Sequence, residues 1–461
     1  MSKESLITTI HSRLGDKGVL TEASLKEKHK ADASGDVAAN LPAAVFRPAS
    51  TEEVAYVLQT CHEHGQPIAI QGGLTGLSAG AIPETAELAL SLERMSGIEE
   101  IDSGSMTMTV MAGTPLQSIQ EAAQNAGLDF PLDLGSRGTC NIGGNVSTNA
   151  GGNQVIRFGM TRALILGLEA VLADGTVISS MNKMLKNNAG YDLKQLFIGT
   201  EGTLGIVTRV VLRLYPQLES RCTALCALDD LDDVINLLHL TNRSMAGLLS
   251  SFEVMWANYY DYVLDNVPAL QSPLDEKYNI YVLMEIEGSN QEKDSQAYQD
   301  MLESALESGL IKDAAIAQSE KEAASFWRIR DGVADLLPLL AKSANFDIGV
   351  PISKMREFLD EADTRLKKAF PGINIHVFGH LGDSNLHYLA STEGKTDKER
   401  IYDIIYELIG EFGGSVTAEH GIGKIKRKYL GYSRSENEIQ LMRQLKQTLD
   451  PKGILNPDRV I

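Results

Sequence analysis

The sequence predicts an α+β protein of two or three domains, and three observations carry that expectation. A chain of 461 residues is too long for one ordinary hydrophobic core. Up to Tyr215-Pro216, short strands alternate with helices and with loops dense in glycine. After Pro216 the long glycine loops disappear, and strands alternating with helical stretches suit a separate α+β domain built on an antiparallel sheet.

The elements follow from local patterns. Ser5 to Leu14 carries apolar residues at helical spacing, and Leu41-Pro42 ends that lead-in. Ser50 or Thr51 caps a helix with Glu52 and Glu53 in its first turn and an apolar face of Val54, Val57, Leu58 and Cys61. Pro67 to Ile70 reads as a buried strand running into the loop Gln71 to Gly80. Leu88 to Leu92 and Met106 to Ala112 read as strands, the second alternating Thr with larger apolar residues. Leu116 to Asn125 is an amphipathic helix ended by Ala126-Gly127. Pro131 to Asn153 is poor in core-forming residues and predicts an irregular segment lying along a ligand. Leu164 to Leu172 and Val177-Ile178 form a hairpin across Asp174-Gly175. A helical turn at Leu193 to Phe197 and the glycine-dense Gly199 to Gly205 precede the strand Ile206 to Leu214.

In the second region, Ala224 to Leu228, Ser250 to Val254 and Ile280 to Ile286 read as strands. Leu231 to Leu240, Glu292 to Ser308, Lys321 to Leu340, Ser353 to Phe370 and Lys398 to Phe412 read as helices. Ile373 to Phe378 and Ser415 to Thr417 are strands whose ends deliver histidines, and Glu438 to Leu449 is a closing helix.

The bulk numbers narrow the function. Hydrophobic content of 43% and charged content of 22% are those of a globular protein in water. A net charge of -19 argues against nucleic acid or an anionic membrane as a partner bound through bulk charge. Four cysteines, Cys61, Cys140, Cys222 and Cys226, make no disulfide framework at this length, so reduced thiols are expected. No apolar run suits a secretion signal or a membrane span, which predicts a cytoplasmic protein, with peripheral membrane association left open.

Two stretches carry chemistry. Val377 to Tyr388, VFGHLGDSNLHY, sets His380 and His387 seven positions apart across a turn, and Glu419-His420 follows about thirty residues later. Two imidazoles with a carboxylate are a common zinc ligand set that keeps one position open for substrate. A lone histidine is more often a core or surface residue, but here glycines pack round both segments. The second stretch is QGGLTGLSAG, Gln71 to Gly80, where a strand feeds a glycine loop able to converge backbone N–H groups on an anion. Its glycine spacing fits neither a Rossmann fingerprint nor a nucleoside-triphosphate loop, and taken alone it reads more readily as a mobile turn.

GGLTGLSAG, NIGGNVSTNAGGNQVIRFG, NAGYDLKQLFIGTEGTLGIVT, GHLGDSNLH, AEHGIG and ILNP occur in this order. As an ordered set they resemble the flavin-dependent D-2-hydroxy acid dehydrogenases of the vanillyl-alcohol-oxidase superfamily, the D-lactate and D-2-hydroxyglutarate dehydrogenase group, from about Phe46 to the C-terminus. The resemblance implies a two-subdomain FAD-binding domain over residues 1–218, a ferredoxin-like α+β cap over 219–425 carrying a metal site, and a segment, 426–461, returning to the FAD domain. It implies that Gln71, Gly72, Gly73, Leu74, Thr75, Gly76, Leu77 and Ser78 hold the FAD pyrophosphate. Leu134, Gly135, Ser136, Gly138, Thr139, Gly143, Gly144, Asn149, Ala150 and Gly151 would line the cofactor, with Glu201, Gly202, Ile206 and Asn456. Some relatives bind FAD covalently through a histidine where this chain has Leu74, so noncovalent FAD is expected.

Carried over, the metal ligands are His380, His387 and Glu419, with zinc the expected ion; His420 is the expected base and Arg330 the expected clamp on the substrate carboxylate. An ion pair of Arg330 with Asp331 is the competing account of that arginine. Tyr388 and Lys424 are further candidates for the pocket, while Asp383 and Asn385 are expected to shape the turn. A separate acceptor, such as an electron-transfer flavoprotein, a cytochrome or a quinone, would take the electrons, and the chain could pair as a homodimer. The chain departs from the D-2-hydroxyglutarate enzymes where they place polar groups for a distal carboxylate: it has Ala334, Asn345 and Leu389. The alternatives are a non-catalytic flavoprotein subunit of an electron-transfer complex and a superfamily oxidase or synthase with another substrate. A zinc-stabilised protein without flavin is a third.

Overall fold

The structure is a computed structural model that describes residues 2–21, 24–25, 27–38, 40–340, 343–392 and 397–461. The chain divides into two compact units. The first comprises residues 1–152, 159–217 and 419–461; the second comprises 153–158 and 218–418.

In the first unit, β1 (Val19–Thr21), β2 (Ala44–Phe46), β3 (Ile68–Gln71) and β4 (Leu88–Ser91) form a sheet in the order β1-β2-β4-β3, parallel except at β1. The remaining strands are β5 (Ile98–Asp102), β6 (Thr107–Met111), β7 (Leu128–Asp129), β8 (Ile165–Val171), β9 (Val177–Ser180), β10 (Ile206–Arg213) and β11 (Tyr215–Pro216). They give a five-stranded antiparallel sheet, β5-β6-β10-β8-β9, and the short pair β7-β11. The helix Thr51–His64 starts where expected: Ser50 Oγ accepts the Glu53 N–H at 3.3 Å, and Val54, Val57, Leu58 and Cys61 are buried. Glu169 of β8 ties that helix to the sheet by accepting the hydroxyls of Thr51, at 2.7 Å, and Thr208, at 3.0 Å.

The end of the chain completes this unit. The helix Glu436–Leu449 opens with a capping box between Ser435 and Glu438. Beyond it, Leu455 bridges Ile68 in parallel and Arg459 is fully buried. All five guanidinium N–H groups of Arg459 are used. They meet both oxygens of Glu87 and the carbonyls of Gly80, Ile82 and Pro457.

The second unit is one antiparallel sheet. Strands β12 (Ser220–Leu228), β13 (Leu249–Trp256), β14 (Ile280–Gly288) and β15 (Asp313–Ile316) stand in the order β15-β12-β14-β13. Numbered along the chain that order is 4-1-3-2, with helices Leu231–Ser244 and Gln291–Glu307 in the two crossovers, which is the ferredoxin-like arrangement. Strands β16 (Ala344–Gly349), β17 (Asn374–Gly379) and β18 (Asn385–Ser391) extend it past β13 as β17-β18-β16. The core under this half packs Tyr259, Tyr281, Phe326, Ile329, Phe378 and Leu389 together.

Several expectations change. Pro131 to Asn153 is not wholly irregular: Ile142–Thr148 is helical, with Asn141 Oδ1 capping the Gly144 N–H at 3.1 Å. Its low helix propensity is overridden by packing, since a Cβ on Gly143 would fall 2.7 Å from the Ala112 Cβ. The helix expected from Lys321 to Leu340 is two helices, Glu320–Arg330 and Val333–Leu340. The break falls at Asp331-Gly332, where a Cβ on Gly332 would meet Val263 at 2.5 Å. The helix Ala257–Asn266 and the strand β16 were not expected, and Ser415 makes only an isolated bridge to Gly349. All four cysteines are free and buried, and burial pushes the Cys61 and Cys226 thiols up to about 12.

Arg459→Ala would strand the Glu87 carboxylate in a site that is 2% exposed, so a loss of about 3–5 kcal/mol is expected. Chemical denaturation of the variant against the unchanged chain measures it; a loss under about 1 kcal/mol would contradict the account.

Candidate active site

In the first unit the glycine loop grows directly out of β3. Gln71, fully buried, spends its amide on internal bonds: Nε2 donates to the carbonyls of His29, at 2.9 Å, and Ala81, at 3.1 Å. Its Oε1 takes the ring N–H of His29 at Nδ1, 2.9 Å away. Beyond Gln71 the loop lies against the segment Thr139–Asn141. A Cβ on Gly73 would fall 2.2 Å from the Thr139 carbonyl oxygen, closer than any side chain tolerates. Leu74 adopts a left-handed backbone at φ 58°. Among the described residues, no internal bond takes the backbone N–H of Gly72, Gly73, Leu74, Thr75, Gly76 or Leu77. A run of unspent amides is what an anionic group such as a pyrophosphate requires, so the loop fits FAD. The Asp32 carboxyl lies near Gly76, and burial raises its pKa against the opposing bonds from Ser34.

The polar side chains expected to line the cofactor act mainly on one another. Ser78 Oγ donates to the carbonyls of His420 and Gly421, at 3.0 and 2.9 Å. Glu201, half-buried and at φ 53°, accepts the N–H groups of Ile422 and Gly423 at 2.7 and 2.8 Å; desolvation of its carboxyl raises its pKa while these donors pull the other way. Asn456 accepts the Ile70 N–H at 2.8 Å and donates to the Glu201 carbonyl at 2.6 Å. A Cβ on Gly202 would sit 3.2 Å from the Asn456 amide. Asn149, at φ 51°, ends the Ile142–Thr148 helix and accepts the Arg162 N–H, and Ala150 accepts from Thr161. Gly144 carries the capping contact, and Ile206 opens β10 as a core residue. Gly135, Gly138 and Thr139 are exposed, with Leu134 and Ser136 half-buried beside them. Glu419 Oε1 accepts the Gly152 N–H at 2.8 Å, and a Cβ on Gly151 would collide with that oxygen at 2.3 Å. Lys424 pairs with Glu84 beside a cleft of about 270 Å³ that Asp36 also lines.

In the second unit β17 and β18 form the hairpin that carries both histidines. Its turn needs Gly379, because a Cβ there would lie 2.5 Å from the Asn385 carbonyl oxygen. Ser384 closes it at φ 71°. His380 leaves the end of β17. His387 lies within β18 rather than in a loop, opposite both Asp347 and Phe378. The two imidazole centroids are 5.3 Å apart, with their planes at 78°. Tyr388 points to the other face, as strand alternation demands, and is buried against Phe346, so it does not join the histidines.

Two buried carboxylates that the sequence reading did not single out organise this hairpin. Val254 of β13 faces Gly379, so one step along the antiparallel register brings Glu253 beside His380. Glu253 Oε1 lies 2.6 Å from His380 Nδ1, and its Oε2 accepts Arg330 Nε at 2.8 Å. Burial works to raise its pKa, but His380 and Arg330, bonded to its two oxygens, outweigh it and hold the carboxyl below its ordinary value. Arg330 also reaches Asp331 at 3.2 Å and His380 Nε2 at 2.9 Å. The ion pair with Asp331 therefore exists, but it is one of three bonds made by a buried guanidinium. The second carboxylate, Asp347 of β16, accepts Asn385 Nδ2 at 2.7 Å and Thr417 Oγ1 at 3.1 Å. Its carbonyl accepts the Ala418 N–H at 3.1 Å, which pins the chain one residue before Glu419. Both were detectable in principle as acids inside apolar strands, SFEVMW and NFDIG, since a buried charge demands partners.

A glycine-loop unit able to take FAD and a ferredoxin-like unit presenting paired histidines define a flavin-dependent oxidoreductase. Residues 42–180 match the family described as FAD binding domain, and residues 217–460 match FAD linked oxidases, C-terminal domain. The D-2-hydroxyglutarate dehydrogenase of Arabidopsis thaliana, described as mitochondrial, is 36% identical over 97% of this chain and 78% of its own length. A D-2-hydroxyglutarate dehydrogenase of Xanthomonas citri pv. viticola is 36% identical over 91% of this chain and 89% of its own. A solved structure of p-cresol methylhydroxylase superposes with a TM-score of 0.79 at 17% identity, over 99% of this chain and 96% of that one, and shares the fold. The chain belongs to the FAD-linked oxidases of the vanillyl-alcohol-oxidase fold, as an FAD-dependent 2-hydroxy acid dehydrogenase. Among the described residues no helix is long and apolar enough to cross a membrane.

His29 supplies a pH test of the loop anchor. Burial lowers its pKa from 6.5, against a smaller opposing effect of the Gln71 bond. The unfolded chain therefore binds the proton more readily, and the stability that neutral His29 supports is full above pH 6.5 and lost as pH falls below it. Thermal unfolding from pH 7.5 to about 5.5 is expected to show the gap between the unchanged chain and His29→Gln narrowing. A constant gap would contradict it.

Proposed function

We propose that the chain oxidises a D-2-hydroxy acid to the 2-oxo acid with noncovalent FAD and a divalent cation, zinc first among candidates, and hands the electrons to a separate acceptor. The observation that carries this is the 36% identity, over nearly the whole chain, to enzymes named for D-2-hydroxyglutarate oxidation. His380, His387 and Glu419 are the proposed ligands. The paired imidazoles on one hairpin support this. The donor set, two imidazoles and a carboxylate, fits such an ion. When bound, FAD accepts the hydride and the cation polarises the hydroxyl and carboxylate of the substrate.

The remaining steps belong to the protein. His420, next in the chain to a proposed ligand, takes the hydroxyl proton, imidazole being the commonest side chain for general-base work. Arg330 pairs with the substrate carboxylate. Glu253 and Asp331 hold two of its N–H groups, and the one on His380 would be released where that ring ligates the cation, which leaves three of a guanidinium's five for that contact. The residues 72–77 take the pyrophosphate through their amides.

The acid is proposed to be monocarboxylic. Leu389 is a core residue, Asn345 is bonded to Ser343, and Ala334 has no polar side chain, so none of these positions offers a cation to a second carboxylate. Anaerobic addition of D- and L-2-hydroxy acids, D-2-hydroxyglutarate among them, tests all of this through bleaching of the flavin band. D-monocarboxylic acids are expected to bleach it fastest. Bleaching by L-acids alone, or by none, would overturn the reaction; fastest bleaching by D-2-hydroxyglutarate would overturn only the monocarboxylic reading. His380→Ala is expected to stay yellow without bleaching, and turnover surviving that change would remove the metal role.

A further inference from the structure

Glu253 is 1% exposed in a strand that is otherwise apolar or small. It closes a three-membered ring: Glu253 to His380 Nδ1 at 2.6 Å, Glu253 to Arg330 Nε at 2.8 Å, and Arg330 Nη2 to His380 Nε2 at 2.9 Å. The chemistry of the end members fixes the middle one. A carboxylate only accepts, so His380 Nδ1 must carry the proton. A guanidinium only donates, so His380 Nε2 must present its lone pair. Only a neutral imidazole satisfies both bonds, and it is the form that ligates a cation.

We infer that Glu253 is a positioning residue for the dehydrogenase reaction. It holds His380 as the Nδ1–H tautomer, so that the Nε2 lone pair, which accepts from Arg330 here, is the one a cation would take in place of that bond, and by its other oxygen it anchors the Arg330 guanidinium at Nε. One buried carboxylate thereby sets a metal ligand and the substrate clamp in register. Outer partners of a ligating histidine orient the ring and raise its basicity, and their loss weakens metal binding about 10–100-fold. This inference rests on the proposed metal role of His380.

The test uses the FAD-loaded protein and Zn²⁺ competed against a chromophoric chelator, with Co²⁺ absorption as a second readout. Glu253→Gln keeps the shape, but its amide can accept from only one of the two donors, so the other loses its anchor. It is expected to retain FAD, to bind Zn²⁺ about 10–100-fold more weakly, and to alter the Co²⁺ spectrum. Glu253→Asp, which keeps the charge with a shorter reach, is expected to fall between, and it replaces Glu253→Gln should that variant not fold. Substrate KM is expected to rise along with the metal loss, because Arg330 loosens too. If the unchanged chain takes up no Zn²⁺, or His380→Ala binds it as well, the metal reading falls and this inference with it. If His380→Ala loses Zn²⁺ but both Glu253 variants bind within about twofold of the unchanged chain, only the role of Glu253 is overturned, and a lowered melting temperature alone would mark it as structural.

Discussion

An ionised carboxylate inside an apolar sheet costs several kcal/mol unless strong partners meet both of its oxygens. Glu253 of β13 imposes that constraint on the second unit. Its neighbours across the register are the last residue of β17 and the histidine after it, and the helix Glu320–Arg330 ends with the only other group in the ring. The helix break at Asp331-Gly332 and the closure of the turn at Gly379 put Arg330 and His380 where the carboxylate can reach them. Charge compensation, rather than apolar packing, therefore decides the local geometry here.

The first unit solves a different problem with the opposite economy. A loop that must offer its backbone to a ligand cannot use that backbone to hold itself in place. Gln71, Ser78, Glu201 and Asn456 do the holding with side chains, each bonded to the main chain of another segment. The residues between Gln71 and Ser78 are thereby fixed at both ends while their amides stay unspent. Those four side chains form a frame that leaves the amides of the loop on offer.

Much of the fold was legible because periodicity and capping act locally. Ser50 opens its helix as read, Leu116–Asn125 and Lys398–Phe412 have the boundaries expected, and the glycine loop follows its strand. What was missed depends on partners distant in sequence. The helix at Ile142–Thr148 contains two glycines and forms because it packs on Ala112; the split at Gly332 answers to Val263, some seventy residues away. At the candidate site, the histidines and Arg330 could be named from motif and family resemblance. Glu253 and Asp347 stood out only as acids within apolar strands, and their roles could not be read, since an acid in a strand reveals its partner only when the register is known.

The passage of the chain between its units has a consequence for folding. The first unit draws on residues from both sides of the second, and its Arg459–Glu87 pair joins positions 372 apart in sequence. The sheet carrying the histidine hairpin lies within the unbroken stretch 218–418. Contacts of long sequence separation carry the larger loop-closure entropy cost and form slowly. Assembly of the nucleotide-cradling half is therefore the slower of the two, and a substitution that weakens the buried Arg459–Glu87 pair would delay that half while leaving the histidine sheet free to form.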